Sequence, residues 1–140
     1  MIGKDDLESF GYYESYWREE LDEKGKLSFS QMVEEYQKVA GQEPDPELYA
    51  GLIREEYHEW DDAYYTCKTG LDELKELSDL VYVIYGYAKA RGWTLEEAVR
   101  RVHNNNMQRM LQDDGRIKRR EDGKIVKNPS VPKPSLRDLV

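Results

Sequence analysis

An all-α fold is what this amino-acid sequence predicts. Apolar residues recur at three- and four-residue spacing through long segments, and Gly, Pro and Ser punctuate the chain where such segments would start and stop. A charged fraction of 36% and a mean hydropathy of -0.91 are values that disordered chains share, but here the apolar residues are periodic rather than missing. That combination describes a heavily solvated helical domain. The 140 residues suffice for one core and not comfortably for two.

Residues 5–23 read as an amphipathic helix with Phe10, Tyr13, Trp17 and Leu21 on one stripe, weakened by Gly11 and ended by Gly25. Ser28 or Ser30 caps a second helix through about Ala40, and Gly41 stops it. GQEPDP (41–46) is a turn that sets Pro46 in the first turn of a third helix, running to about Lys68. A fourth spans roughly Leu71 to Arg91 and stops at Gly92. Thr94 and Glu97 then predict a capping box for a fifth helix ending near Leu111. Beyond Asp113-Asp114-Gly115, residues 117–127 predict a small hairpin turning at Asp122-Gly123, followed by an extended NPSVPKP segment and one helical turn. The expected organisation is an N-terminal helical extension (1–26) and one four-helix-bundle-like domain (27–140) that includes a short basic tail (116–140).

Charge and composition exclude several functions. The net charge is -8, but residues 116–140 carry eight Lys and Arg against three acids, leaving 13 basic and 26 acidic residues in 1–115. Such an acidic body repels duplex nucleic acid, while a short basic tail still suits a small polyanion bridged by cations. No apolar run is long enough to span a bilayer, and the N-terminus lacks the apolar core of a secretory signal. A single cysteine, Cys67, excludes an internal disulfide framework and a cysteine zinc cluster. The expected location is the cytoplasm.

Carboxylates stand where a core should be. On the third helix Leu48, Tyr49, Leu52, Ile53, Trp60, Ala63, Tyr64 and Cys67 share an apolar sector, with Glu56 near its middle, Glu59 at its edge and Glu55 beside it. From Leu77 to Ala88 the only charged residue is Asp79, and Glu76 lies one turn before it. Unpaired buried carboxylates cost several kcal/mol each, and four converging ones repel. Hard divalent cations relieve that cost, and an all-oxygen set suits magnesium, with manganese as a substitute. Asn106 falls within the stripe of Leu95, Val99, Val102 and Met110, where an amide needs a specific partner. Taken singly, each acid reads equally well as a residue of a solvated face. Their joint occurrence on helices expected to pack together favours a metal site.

The segment between Leu71 and Arg91 is apolar on two sides, Leu74, Leu77, Val81 and Ala88 on one and Leu80, Val83 and Tyr87 on the other. One copy cannot cover both, so a homo-oligomer is expected, a tetramer before a dimer.

These residues also resemble a known pattern. Glu56-Tyr57-His58-Glu59 and Glu76-Leu77-Ser78-Asp79, sixteen residues apart, match the ExxE and ExxD motifs of the MazG-like all-α nucleoside triphosphate pyrophosphohydrolases, the superfamily that includes phosphoribosyl-ATP pyrophosphohydrolase. LIREEYHEW, ELSDLVYVIYGYA, Trp93-Thr94-Leu95, HNNNMQRM and DGKIVKNPSVPKP extend the likeness over roughly 29–136. The turn and tail look like the short phage-type forms, for which the location would be the host cytoplasm. The first 26 residues match no part of it.

The resemblance implies hydrolysis of the α–β phosphoanhydride of a nucleoside triphosphate, giving a nucleoside monophosphate and pyrophosphate. By position, Glu56, Glu59, Glu76 and Asp79 would hold two or three magnesium ions, with Glu59 the general base and Glu55 close enough to compete. Asn106, Arg109, Lys124 and Lys127 would contact substrate; the family often has lysine where Arg109 stands, so charge is kept with altered geometry. Attack at the α-phosphorus needs an activated water and neutralised phosphates, which metal ions and a glutamate supply without a Ser, Cys or His nucleophile. The tail, rich in Gly and Pro, is expected to be mobile and to order over substrate.

Phosphoribosyl-ATP is the alternative substrate, and a non-catalytic nucleotide-binding helical oligomer the alternative class. A di-iron carboxylate oxidase needs Glu-x-x-His on two helices; Glu55 and His58 supply it once.

Overall fold

The computed structural model describes residues 27–66 and 69–140, so the helix expected over 5–23 lies outside the described residues. Four α-helices follow one another: α1 (Phe29–Ala40), α2 (Pro46–Thr66), α3 (Gly70–Arg91) and α4 (Leu95–Arg109), then a 3-10 turn at Arg137–Leu139. The fold is all-α, with no β-strand among the described residues.

Local chemistry sets most boundaries. Ser28, not Ser30, caps α1: its hydroxyl accepts from Gln31 N at 3.2 Å while Gln31 Oε1 accepts from Ser28 N at 2.8 Å, a reciprocal capping box. Gly41 ends α1 in the left-handed region (φ 63), with its N–H on Lys38 O and the next N–H, of Gln42, on Gln37 O. Asp45 then accepts from Leu48 N at 3.1 Å, and Pro46 opens α2 where no N–H is missed. Gly92, at φ 74, closes α3 in the same way as Gly41 closes α1.

The capping box expected at Thr94 and Glu97 does not form. Thr94 makes no side-chain cap, and Glu97 instead forks to Arg100 (2.7 Å) and Arg101 (3.1 Å). A charge-assisted pair one turn ahead outcompetes a backbone N–H for that carboxylate.

Helices α2 and α3 pack side by side, and α1 lies against α3. Val33, Tyr49, Val83, Tyr85 and Ala88 form the buried centre. Tyr49 of α2 lies so close to α3 at Gly86 that a Cβ there would stand 2.1 Å from its ring, which is why the position tolerates only glycine. The two-sided apolar reading of α3 resolves here. Val83 and Ala88 face inward, whereas Leu74, Leu77, Val81 and Ile84 are exposed.

Helix α4 meets α1 and the terminal turn, and it faces the tail. Its buried amide is accordingly Asn105, which donates to Pro132 O at 2.7 Å. Asn106, Val99 and Val102 are exposed, a correction to the inner stripe expected from periodicity. The periodicity found the apolar side of the helix, and the tail took the other side.

The tail is fastened along its length. Asn128 is 5% exposed and donates to Leu111 O and Asp113 Oδ1, both at 3.0 Å, while Ser130 Oγ donates to Asp113 Oδ2 at 2.8 Å. These bonds hold the Asp113 carboxyl below its ordinary pKa. Arg101 pairs with Asp138 at 2.6 Å, tying the terminal turn to α4. The hairpin expected over 117–127 is reduced to one antiparallel bridge, Arg119 with Ile125, around Gly123 at φ 86.

Candidate metal centre

Glu56 projects from α2 toward Glu76 and Asp79 of α3, which stand on one face because three residues make nearly one turn. One carboxylate oxygen from each lies within 4.8 Å of the other two, and all three side chains are half-buried. Glu56 Oε2 and Glu76 Oε2 are buried with no hydrogen-bond partner. Oxygens of this kind are costly to bury, and a cation is the partner their chemistry calls for.

The electrostatics agree. Burial raises the Glu56 carboxyl above the usual carboxylate range, and the charges of Glu59 and Asp79, a hydrogen bond to Glu59 and the charge of Glu55 raise it further. The Glu56 carboxyl thus sits in a field of negative charge that penalises its ionised form. On the outer side Lys75 Nζ stands 2.7 Å from Asp79 and 3.4 Å from Glu76, and these contacts raise its own pKa. An ammonium there neutralises Asp79 in part but does not reach the orphaned oxygens. Three converging carboxylates with two unsatisfied oxygens fit a hard divalent cation.

A cleft of about 360 Å³ opens beside the carboxylates, walled by Tyr36, Leu52, Tyr82 and Val83, with Glu56 and Asp79 at one end and Gln42 and Tyr49 at the other. No Lys or Arg is among the described residues lining it.

The remaining site residues are dispersed. Glu59 is exposed at the edge of the cluster, in hydrogen-bond reach of Glu56. Glu55 is exposed and lines a separate shallow depression with Asp45 and Glu47. His58 is exposed on the polar side of α2. Arg109 Nε donates to Asn128 O at 3.2 Å, and Asn106, Lys124 and Lys127 are exposed. No described hydrogen bond or ion pair joins these four to the carboxylates. Sequence reasoning passed over the pairing of Lys75 with Asp79, and Gln42 and Tyr49 as cleft groups. The i, i+4 spacing of Lys75 and Asp79 is the signal that would have found the first.

A family model described as phosphoribosyl-ATP pyrophosphohydrolase matches residues 28–106, more than half of the chain. The chain belongs to this family. Membership makes it a pyrophosphohydrolase of the metal-dependent type, and the matched span carries Glu56, Glu59, Glu76 and Asp79 and ends at Asn106. Arg109 and the tail of the pyrophosphohydrolase lie beyond it. No curated protein matches the chain. Among its described residues, no helix is long and apolar enough to cross a membrane.

Proposed function

We propose that this pyrophosphohydrolase acts on free nucleoside or deoxynucleoside triphosphates, releasing pyrophosphate and the nucleoside monophosphate, with magnesium held by Glu56, Glu59, Glu76 and Asp79. The observation that carries the reading is the pair of orphaned oxygens, on Glu56 and Glu76, in a carboxylate cluster whose Glu56 and Asp79 line a nucleoside-sized cleft. Bound magnesium would screen the phosphate oxygens and lower the pKa of a coordinated water. Glu56, Glu76 and Asp79 gather the charge that recruits the cation. Glu59, more exposed and beside Glu56, is placed to take a proton from the attacking water, with Glu55 one turn away. Tyr36 and Tyr82, ring centroids 5.8 Å apart, give the cleft an apolar wall that excludes water from a nucleoside.

The family model's description favours phosphoribosyl-ATP as a second reading. That ligand carries a further phosphoribosyl group on its adenine, which needs cations at the far end of the cleft. Tyr36, Gln42 and Tyr49 line that end instead, which supports the free triphosphate.

The proposed protein is a cytoplasmic homo-oligomer in which a second copy brings Asn106, Arg109, Lys124 and Lys127 toward the carboxylates. The deciding experiment incubates ribo- and deoxynucleoside triphosphates and phosphoribosyl-ATP with magnesium and scores the products. Pyrophosphate with nucleoside monophosphate is expected. Orthophosphate release, or turnover of phosphoribosyl-ATP alone, overturns the reading.

A further inference from the structure

The end of the cleft away from the carboxylates is built around one amide. Gln42 is held at both its ends. Its backbone N–H is fixed by the left-handed turn at Gly41, donating to Gln37 O at 2.9 Å. Its side-chain Oε1 accepts from the Tyr49 hydroxyl at 3.0 Å. Tyr49 is itself immobilised: it is buried, its ring lies against Gly86, and its oxygen accepts from Gln37 Nε2 at 2.9 Å. The hydrogen bonds run in one direction, from Gln37 through Tyr49 to Gln42. The Gln42 carbonyl is thereby engaged, and among the described residues nothing accepts from its Nε2. A pre-positioned N–H donor therefore lines the cleft.

The spacing suits a nucleotide. Tyr49 and Glu56 are seven residues apart on α2, an axial distance of about 10 Å. This is close to the length of a nucleoside 5′-phosphate from phosphorus to the far edge of its base. A phosphate at the carboxylate end thus carries its base edge to Gln42, along the wall that Tyr36 and Tyr82 form together.

We infer that Gln42, oriented by Tyr49, makes the cleft selective for bases with a carbonyl oxygen at that edge, uracil, thymine and guanine, over the amino bases cytosine and adenine. This rests on the triphosphate reading above. A donor facing the exocyclic amine of cytosine or adenine leaves two N–H groups opposed and unpaired, whereas O4 or O6 accepts directly. Gln42 is solvent-accessible, so the discrimination falls at the lower end of what a hydrogen-bonding site provides, about tenfold.

The test compares kcat/KM for UTP with CTP and for GTP with ATP, using the full-length chain. The wild type should favour UTP and GTP. Gln42→Glu keeps an acceptor for Tyr49 and turns an acceptor into the cleft, so both ratios should reverse. Its added charge penalises every triphosphate alike and leaves the ratio readable. Tyr49→Phe keeps the ring against Gly86 and frees the amide to rotate, so both ratios should fall toward unity. Thermal unfolding by circular dichroism confirms that each variant folds. Hydrolysis of all four triphosphates without a carbonyl preference, or ratios that Gln42→Glu leaves unchanged, overturns the inference. Hydrolysis of none of them overturns the triphosphate reading instead.

Discussion

Glu56 shows how one side chain can stand against the stability of its fold and for its function. Burial and neighbouring carboxylates raise its pKa, so the folded chain holds this proton to higher pH than the unfolded chain does. The group's contribution is fully present below the unfolded value and is lost as pH rises through the raised value. Thermal unfolding in chelator, followed from the carboxylate range to neutrality, should therefore show a melting temperature that falls across that window. Glu56→Gln should flatten the fall and raise the neutral-pH melting temperature, because an uncharged amide removes the repulsion. The same substitution should abolish magnesium binding, as should Glu76→Gln and Asp79→Asn, and turnover should drop by orders of magnitude in all three and in Glu59→Gln. Near-wild-type turnover in two of the four would remove the metal assignment. Magnesium affinity in the wild type should weaken on acidification, since the cation must displace the Glu56 proton.

At the scale of elements, the sequence was most legible where a boundary is made by its own residues. Ser28 with Gln31, Gly41, Pro46 and Gly92 end or begin helices through contacts within five residues, so α1, α2 and α3 could be placed closely. The carboxylate cluster was legible for the same reason, because an acid in an apolar stripe is a local contradiction. What depended on distant partners was not legible. The tail chose Asn105 over Asn106 as its contact on α4, and Glu97, where two local signals competed, went to Arg101, which the terminal turn holds through Asp138, and to Arg100 instead of a cap. The Gln37–Tyr49–Gln42 chain joins three residues whose spacing carries no periodic signal. The tail itself, expected to be mobile, is pinned by Asn128. Asn128→Ala would leave Leu111 O and Asp113 without that donor, at a cost of about 1–3 kcal/mol to the anchored tail. Limited proteolysis should then cut within 116–130 while α2 and α3 stay intact. If phosphate contact needs a positioned Lys127, KM for the triphosphate should rise in parallel. Unchanged proteolysis would show that the tail is held by something other than this amide.

Across the whole molecule, the groups of the proposed site stand in two separate places. The acids sit between α2 and α3, while Arg109, Lys124 and Lys127 sit on α4 and the tail, with no described bond between the two sets. Leu74, Leu77, Val81 and Ile84 are meanwhile exposed on α3, and a groove of about 360 Å³ runs between the first three and Phe29, Met32 and Val33 of α1. A contiguous apolar face of this kind would suit the proposed homo-oligomer. A second copy seated on that face would cover it and could bring the basic groups of one chain to the acids of another. Val83, on the second apolar side of α3, is buried within the chain, so a charge there would unfold the core rather than test an interface. Val81, 38% exposed, is the informative position. Val81→Glu should lower the mass seen by light scattering and abolish turnover while helix content persists. A wild-type monomer at micromolar concentration would refute the assembly outright. Mixing separates an oligomer that shares sites from one that merely packs. Glu56→Gln lacks the acid and Lys127→Ala lacks the cation, so each alone should be impaired. If sites combine residues from two chains, mixed oligomers contain some sites with both groups intact, and activity should return on mixing. If every site is made within one chain, the mixture should show only the average of the two parent activities.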